Sequence, residues 1–282
     1  MENKAITIQE KTVTDNVLAR LNALQKDGNI IMPKNYSYQN ALKSAYLKLV
    51  QTVDKEKRPV LQSCSKESIC NSLLDMCIQG LSPAKNQCYF IAFGGKLTLM
   101  KSYLGNIAAT KRLHGVKNVF ANCIHKDDVF EYTIDLETGN KKIVKHEQKF
   151  GNIHNDKIIG AYAVVVMEGD IPNYIEMMPI DEIRSAWQMG AAKGNSDAHK
   201  KFTDEMAKKT VINRACKIFV YTSDDSDVLV ESITRTNEYN PEDIIETNDN
   251  TVEEVKEEIR ENANKEVINV NPKSEQVDME FD

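Results

Sequence analysis

The chain has 282 residues, 41% of them hydrophobic and 28% charged, with 12 Gly and 7 Pro, which excludes collagen-like, repeat-rich and wholly disordered classes. Its longest strongly apolar run, residues 161–167, is far short of the roughly 20 residues of a membrane-spanning helix. The start, MENKAITIQEK, is too charged for a signal peptide, so a cytoplasmic protein is expected.

The net charge of −6 conceals a division. Residues 241–282 hold 14 acidic and 4 basic side chains, a net of −10, which leaves residues 1–240 at +4. An acidic whole would argue against a polyanionic partner, and the division removes that objection.

In chain order, the polar first 35 residues, interrupted by Gly28 and Pro33, are expected to be a mobile segment. Apolar spacing predicts helices over 40–50 and 68–79, with Gly80 just past the second and Pro83 stopping it. Two β-rich runs over 88–93 and 96–100 flank Gly94-Gly95, a hairpin signature. A helix is expected over 101–113, ended by Gly115, then strands at 118–124, 129–134, 142–147, 158–167 and 174–178. Helices over 181–192 and 203–220 follow, the latter the strongest in the chain. This order gives an α+β fold, a strand-rich core with packed helices over 36–235. The acidic, Asn-rich residues 236–282 read as a disordered tail, in which 251–262 have the spacing of a helix that folds on a partner.

The six cysteines show no CxxC pair and read as small buried hydrophobes. The five histidines lack metal-ligand spacing, and there is no phosphate loop, GxGxxG, HExxH or GxSxG. Asp127, Asp128 and Glu131 admit two readings, a nuclease-like acid cluster or solvated acids of a hairpin, and the second is preferred.

Basic residues carry the functional signal. Residues 76–126 contain no Asp or Glu but include Lys85, Lys96, Lys101, Lys111, Arg112, Lys117 and Lys126. A second acid-free window, 206–223, holds Lys208, Lys209, Arg214 and Lys217. On the helix near 101, Lys101, Gly105, Ala108 and Arg112 form a stripe with cations at its ends and small residues between, which suits either an approaching nucleic-acid backbone or a closely packed neighbour. On the helix from 203, Lys209, Thr210, Asn213, Arg214 and Lys217 share an arc opposite the apolar one. Lys208 falls inside the apolar arc and is expected to snorkel or to meet Asp204 or Glu205. Aromatic residues interleave with these cations, and alternation puts Tyr89, Ile91 and Phe93 on one strand face, where Tyr89 and Phe93 are candidates for base stacking.

The order of motifs resembles the RecT family of phage and prophage single-strand annealing proteins over about residues 40–235. Gln79-Gly80-Leu81-Ser82-Pro83, the following hairpin and residues 96–113 resemble the family's Gly-Leu-x-Pro, hairpin and Gly-Tyr-Lys-Gly-type helix, read here as Met100-Lys101-Ser102-Tyr103. Residues 127–132 resemble its Asp-x-Phe-x-Tyr strand. Residues 204–217, DEMAKKTVINRACK, resemble its Met-Ala-x-Lys-Thr-Val helix, with His199 where the family usually has Trp.

The resemblance implies a fold of the single-strand annealing superfamily and an ATP-independent protein of the bacterial cytoplasm, without covalent catalysis. Such a protein binds single-stranded DNA, pairs complementary strands through an annealed duplex intermediate, and assembles as homo-oligomeric rings or filaments. No nucleotide cofactor is expected, and a divalent cation at most modulates DNA binding. The tail is expected to meet a host single-strand-binding protein or a phage exonuclease, or to solvate the chain and compete with DNA. Expected DNA contacts are Lys85, Lys96, Lys101, Tyr103, Lys111, Arg112, Lys117, Lys208, Lys209, Asn213, Arg214 and Lys217. A passive single-strand binder and a metal-dependent nuclease are the alternatives.

Overall fold

The computed structural model describes residues 2–33, 35–190, 193–221 and 227–237. The expected tail beyond Asn237, with its 251–262 segment, lies outside them. The first element is a helix, α1 (Glu2–Lys26), where a mobile segment was expected. Val13, Val17 and Leu21, spaced four apart, are buried against α4 (Lys66–Ile78). Arg20 donates from α1 to Asn71 of α4, 3.0 Å. Gly28 ends this helix rather than preventing it, with its N–H and that of Asn29 closing onto the carbonyls of Gln25 and Leu24.

The helices expected from apolar spacing are α2 (Tyr38–Gln51) and α4, capped at their N-termini by the hydroxyls of Ser37 and Ser65. A four-residue turn of helix, α3 (Val60–Ser63), lies between them. Gly80, at φ +68°, follows α4 and returns Leu81 N–H to the Met76 carbonyl, a closure that a residue with a Cβ adopts only under strain.

β1 (Cys88–Phe93) and β2 (Lys96–Lys101) form the expected antiparallel hairpin. Gly94 and Gly95 both have positive φ, the two-residue turn whose twist suits a hairpin. α5 (Tyr103–Thr110) follows, shorter than the expected 101–113 because β2 extends through Lys101.

β3 (Val116–His125), β6 (Ile158–Met167) and β7 (Tyr174–Pro179) form a three-stranded antiparallel sheet in the order β3-β6-β7. Between β3 and β6 the chain makes a separate hairpin, β4 (Val129–Ile134) with β5 (Lys141–Glu147). One sheet face, with Val119, Cys123, Ala161, Ala163, Val165 and Met178, enters the core beneath α8 (Thr203–Tyr221).

α6 (Ile180–Met189) and α7 (Asp197–Lys201) flank α8, and α5 packs on its other side. A last helix, α9 (Asp227–Asn237), lies on α4 and β2, burying Leu229 and Ile233. The architecture is α+β, with small antiparallel sheets and packed helices, as expected.

Candidate nucleic-acid interface

β1 and β2 present two different faces. Cys88, Phe90, Ala92, Leu97 and Leu99 alternate inward and are buried. Tyr89, Ile91 and Phe93 alternate outward, with Tyr89 47% and Phe93 44% exposed, and Phe93 stands opposite Lys96 across the turn. Exposed rings beside an exposed ammonium offer stacking and phosphate neutralisation on one surface. Lys55 lies beside Phe93, lining a cleft of about 160 Å³ with Arg58 and the two turn glycines. Sequence reading missed Lys55, because the 54–58 loop is of mixed charge and remote in sequence. Arg58 is engaged by Asp54 and Glu56, at 2.9 and 2.6 Å.

The same alternation corrects Lys101. It is the last residue of β2, pairs with Cys88 and therefore follows Leu97 and Leu99 inward. It is 7% exposed, and its ammonium donates to the Ile233 carbonyl of α9, 3.4 Å. Asn213 is corrected too: it is buried between α8 and α5, and its Oδ1 accepts from Asn106 Nδ2, 2.8 Å. Of the arc expected to face solvent, Asn213 is covered where α5 packs on α8, while Lys209, Thr210, Arg214 and Lys217 are half-buried.

The small-residue stripe on α5 is also a packing device. Gly105 is buried and Ala108 half-buried against the core, and a Cβ at Gly105 would sit 2.0 Å from the Gln87 carbonyl oxygen, so no DNA strand lies in that space. Tyr103 is half-buried against the core. Leu104 is 39% exposed.

Arg112 donates to the carbonyls of Ile78, at the end of α4, and Ile31, the latter at 2.8 Å. A guanidinium at a helix C-terminus satisfies a carbonyl that no helical N–H reaches. Lys208, also among the expected DNA contacts, meets Glu205 at 2.6 Å and Asp204 at 3.4 Å, one of the arrangements expected for it. Arg214 is held by Glu182, 3.0 Å, and Glu176, 3.4 Å. Lys85, Lys96, Lys111 and Lys117 are exposed, whereas Lys209 and Lys217 are half-buried, with the Lys217 ammonium 5.9 Å from the Tyr221 ring centroid. The exposed and half-buried cations thus fall in four places, the turn before β1 with Lys85, the β1-β2 hairpin, the end of α5 with the start of β3, and one side of α8.

The acids at 127–131 do not converge. Asp127 pairs with Lys157, 3.0 Å. Asp128 points inward, its Oδ2 accepting from His125 N–H, 2.8 Å, and from Gln148 Nε2, 2.8 Å, with His146 Nε2 at 3.2 Å. Burial raises the Asp128 pKa and these hydrogen bonds outweigh it, holding the carboxyl below its ordinary range. Glu131 stands opposite Lys145 across the hairpin, and the Lys145 ammonium meets Glu147, 3.3 Å. Among the described residues no group of three or more His, Cys, Asp or Glu is placed to hold a metal ion.

All six cysteines are buried, as expected, and burial pushes the thiols of Cys77, Cys88 and Cys123 up to about 12. His199 is buried edge-on to Trp187, ring centroids 4.8 Å apart, while Trp187 Nε1 donates to Thr210 of α8, 2.8 Å. His199 serves packing there. No described helix is long and apolar enough to cross a membrane.

An α+β protein with a cationic, acid-free central stretch and solvent-facing rings beside a lysine has the surface chemistry of a single-strand nucleic-acid binder. The sequence matches the RecT family over residues 41–264, most of the chain, and the protein belongs to that family, whose members bind DNA and anneal strands in recombination. No curated protein matches the chain.

Proposed function

We propose that the protein binds single-stranded DNA and anneals complementary strands in recombination, without ATP, as a homo-oligomer. The observation that carries this reading is the outward face of the β1-β2 hairpin, with Tyr89, Phe93 and Lys96, in a chain of the RecT family. Tyr89 and Phe93, four residues apart along one face of the strand, stand about 13 Å apart, roughly four times the spacing of stacked bases in a duplex strand. Exposed rings beside a lysine suit a strand held by its phosphates with bases presented to a second strand. Exposed Lys85 and Lys117 extend the neutralising surface.

Specificity then comes from base pairing, and no covalent step or nucleotide cofactor enters. Residues 241–282, at net −10, suit a basic partner surface such as that of a protein acting at the same DNA end, in the bacterial cytoplasm.

The test is the pairing rate of two labelled complementary oligonucleotides, without ATP, for wild type and a Tyr89→Ala, Phe93→Ala, Lys96→Ala variant of unchanged melting temperature. Acceleration by wild type that the variant loses supports the reading. Tight binding by wild type without faster pairing overturns it in favour of a passive binder, and pairing that survives the substitutions overturns the assignment of this face.

A further inference from the structure

We propose that the tip of the β4-β5 hairpin is a plug by which one copy of the chain docks into a cleft on the next. The proposal rests on the oligomeric reading above and names the contact that builds the oligomer. Leu136, at the tip, is 97% exposed between Asp135 and Glu137. The tip is preformed: Asp135 Oδ1 accepts from the N–H groups of Glu137 and Thr138, 3.0 and 2.9 Å, and Gly139 N–H donates to the Asp135 carbonyl, 2.8 Å. A rigid turn presents its side chain to a partner with little ordering cost.

The receiving cleft has a volume of about 440 Å³ and lies between the segment after α1, the end of α5 and α9. Ile30, Met32, Pro33 and Leu229 make it apolar, and Lys111 and His114 give it a basic side. That volume falls within the roughly 300–1,000 Å³ of clefts that enclose small ligands, enough for a leucine side chain and its turn. The partner is therefore complementary in two respects, an apolar knob for an apolar hollow and two carboxylates for a basic rim.

The hairpin itself supplies a second reason. Its base is held on the larger sheet, where Phe130 stacks on the Tyr162 ring and His146 Nδ1 lies 3.0 Å from the Tyr162 hydroxyl, but Tyr132 and Ile134 on one face are 51% and 53% exposed. A neighbouring copy that receives the tip also shields this face. Plug and cleft are different patches of one chain, so the contact is head-to-tail and either closes a ring or grows a helical filament.

The test is the assembly state, by mass photometry and sedimentation velocity, first without DNA and then with saturating single-stranded oligonucleotide. The proteins compared are wild type, Leu136→Ser, Lys111→Glu, Glu137→Lys and the double variant Lys111→Glu with Glu137→Lys. Leu136→Ser is expected to raise the concentration at half-assembly roughly tenfold or more with an unchanged melting temperature. Each charge reversal is expected to weaken assembly, and the double variant to restore it, a rescue that loss of a phosphate contact at Lys111 does not produce. Wild type that assembles while Leu136→Ser assembles equally tightly overturns the plug and leaves the oligomeric reading standing. A double variant no better than its parents overturns the pairing of tip with cleft, and wild type that stays monomeric even on DNA overturns both proposals.

Discussion

Lys101 and Ile233 are 132 residues apart in sequence, and the Lys101 ammonium donates to the Ile233 carbonyl across the junction of β2 and α9. A cation from the acid-free stretch is thus spent on fixing the last described helix. Gln79 joins the same junction, its Nε2 donating to the Ser232 carbonyl, 2.8 Å, and Asp75 pairs with Arg235, 2.7 Å. Replacing Lys101 by Ala is expected to lower stability by about 1–3 kcal/mol in urea unfolding, and to weaken DNA binding less than Lys96→Ala does when both are measured fully folded.

Gly105→Ala sets two effects against each other. Alanine gains up to about 1 kcal/mol of helix propensity, but its Cβ meets the Gln87 carbonyl at 2.0 Å, against backbone that cannot swing aside. Overpacking of this kind costs about 1–3 kcal/mol and occasionally more, so net destabilisation is expected in a thermal melt.

Asn106 and Asn213 are each other's buried partner. Either change to Ala strands one amide, at about 1–3 kcal/mol, whereas the double change strands neither. Denaturation of the two singles and the double is expected to show the double costing clearly less than the sum.

Asp128 gives a pH dependence of definite sign. Its carboxyl sits below the ordinary range in the folded chain, so its contribution to stability is fully present above the unfolded value near pH 3.9 and disappears as pH falls through the folded value. Asp128→Asn is expected to be less stable than wild type at pH 7, with the gap narrowing below about pH 4. A gap independent of pH would remove the ionised carboxylate from the account.

Exposed and engaged cations are expected to differ in the salt dependence of oligonucleotide binding. Replacing Lys96 or Lys117 by Ala should each reduce the slope of log affinity against log salt by about 0.7 on single strands. Lys208→Ala should leave that slope unchanged, because Glu205 and Asp204 already neutralise this ammonium.

Local pattern made much of this chain legible. Two-residue alternation placed β1 with Tyr89 and Phe93 outward, Gly94-Gly95 announced the turn, and helical spacing found α2, α4, α6 and α8, because each of these signals depends on residues a few positions apart. The acid-free window exposed the cationic character of the centre for the same reason, and the motif order identified the family. What required the tertiary structure was the disposition of each polar side chain. Alternation carried one residue further turns Lys101 inward, the sheet and α5 enclose α8 from two sides and bury Asn213, and α1 acquires its place only because α4 offers a surface for Val13, Val17 and Leu21. A charge in a sequence shows that a cation exists. Whether it faces solvent or a carbonyl 132 residues away is decided by which elements pack together, because burial and pairing are properties of the packed chain and not of the residue.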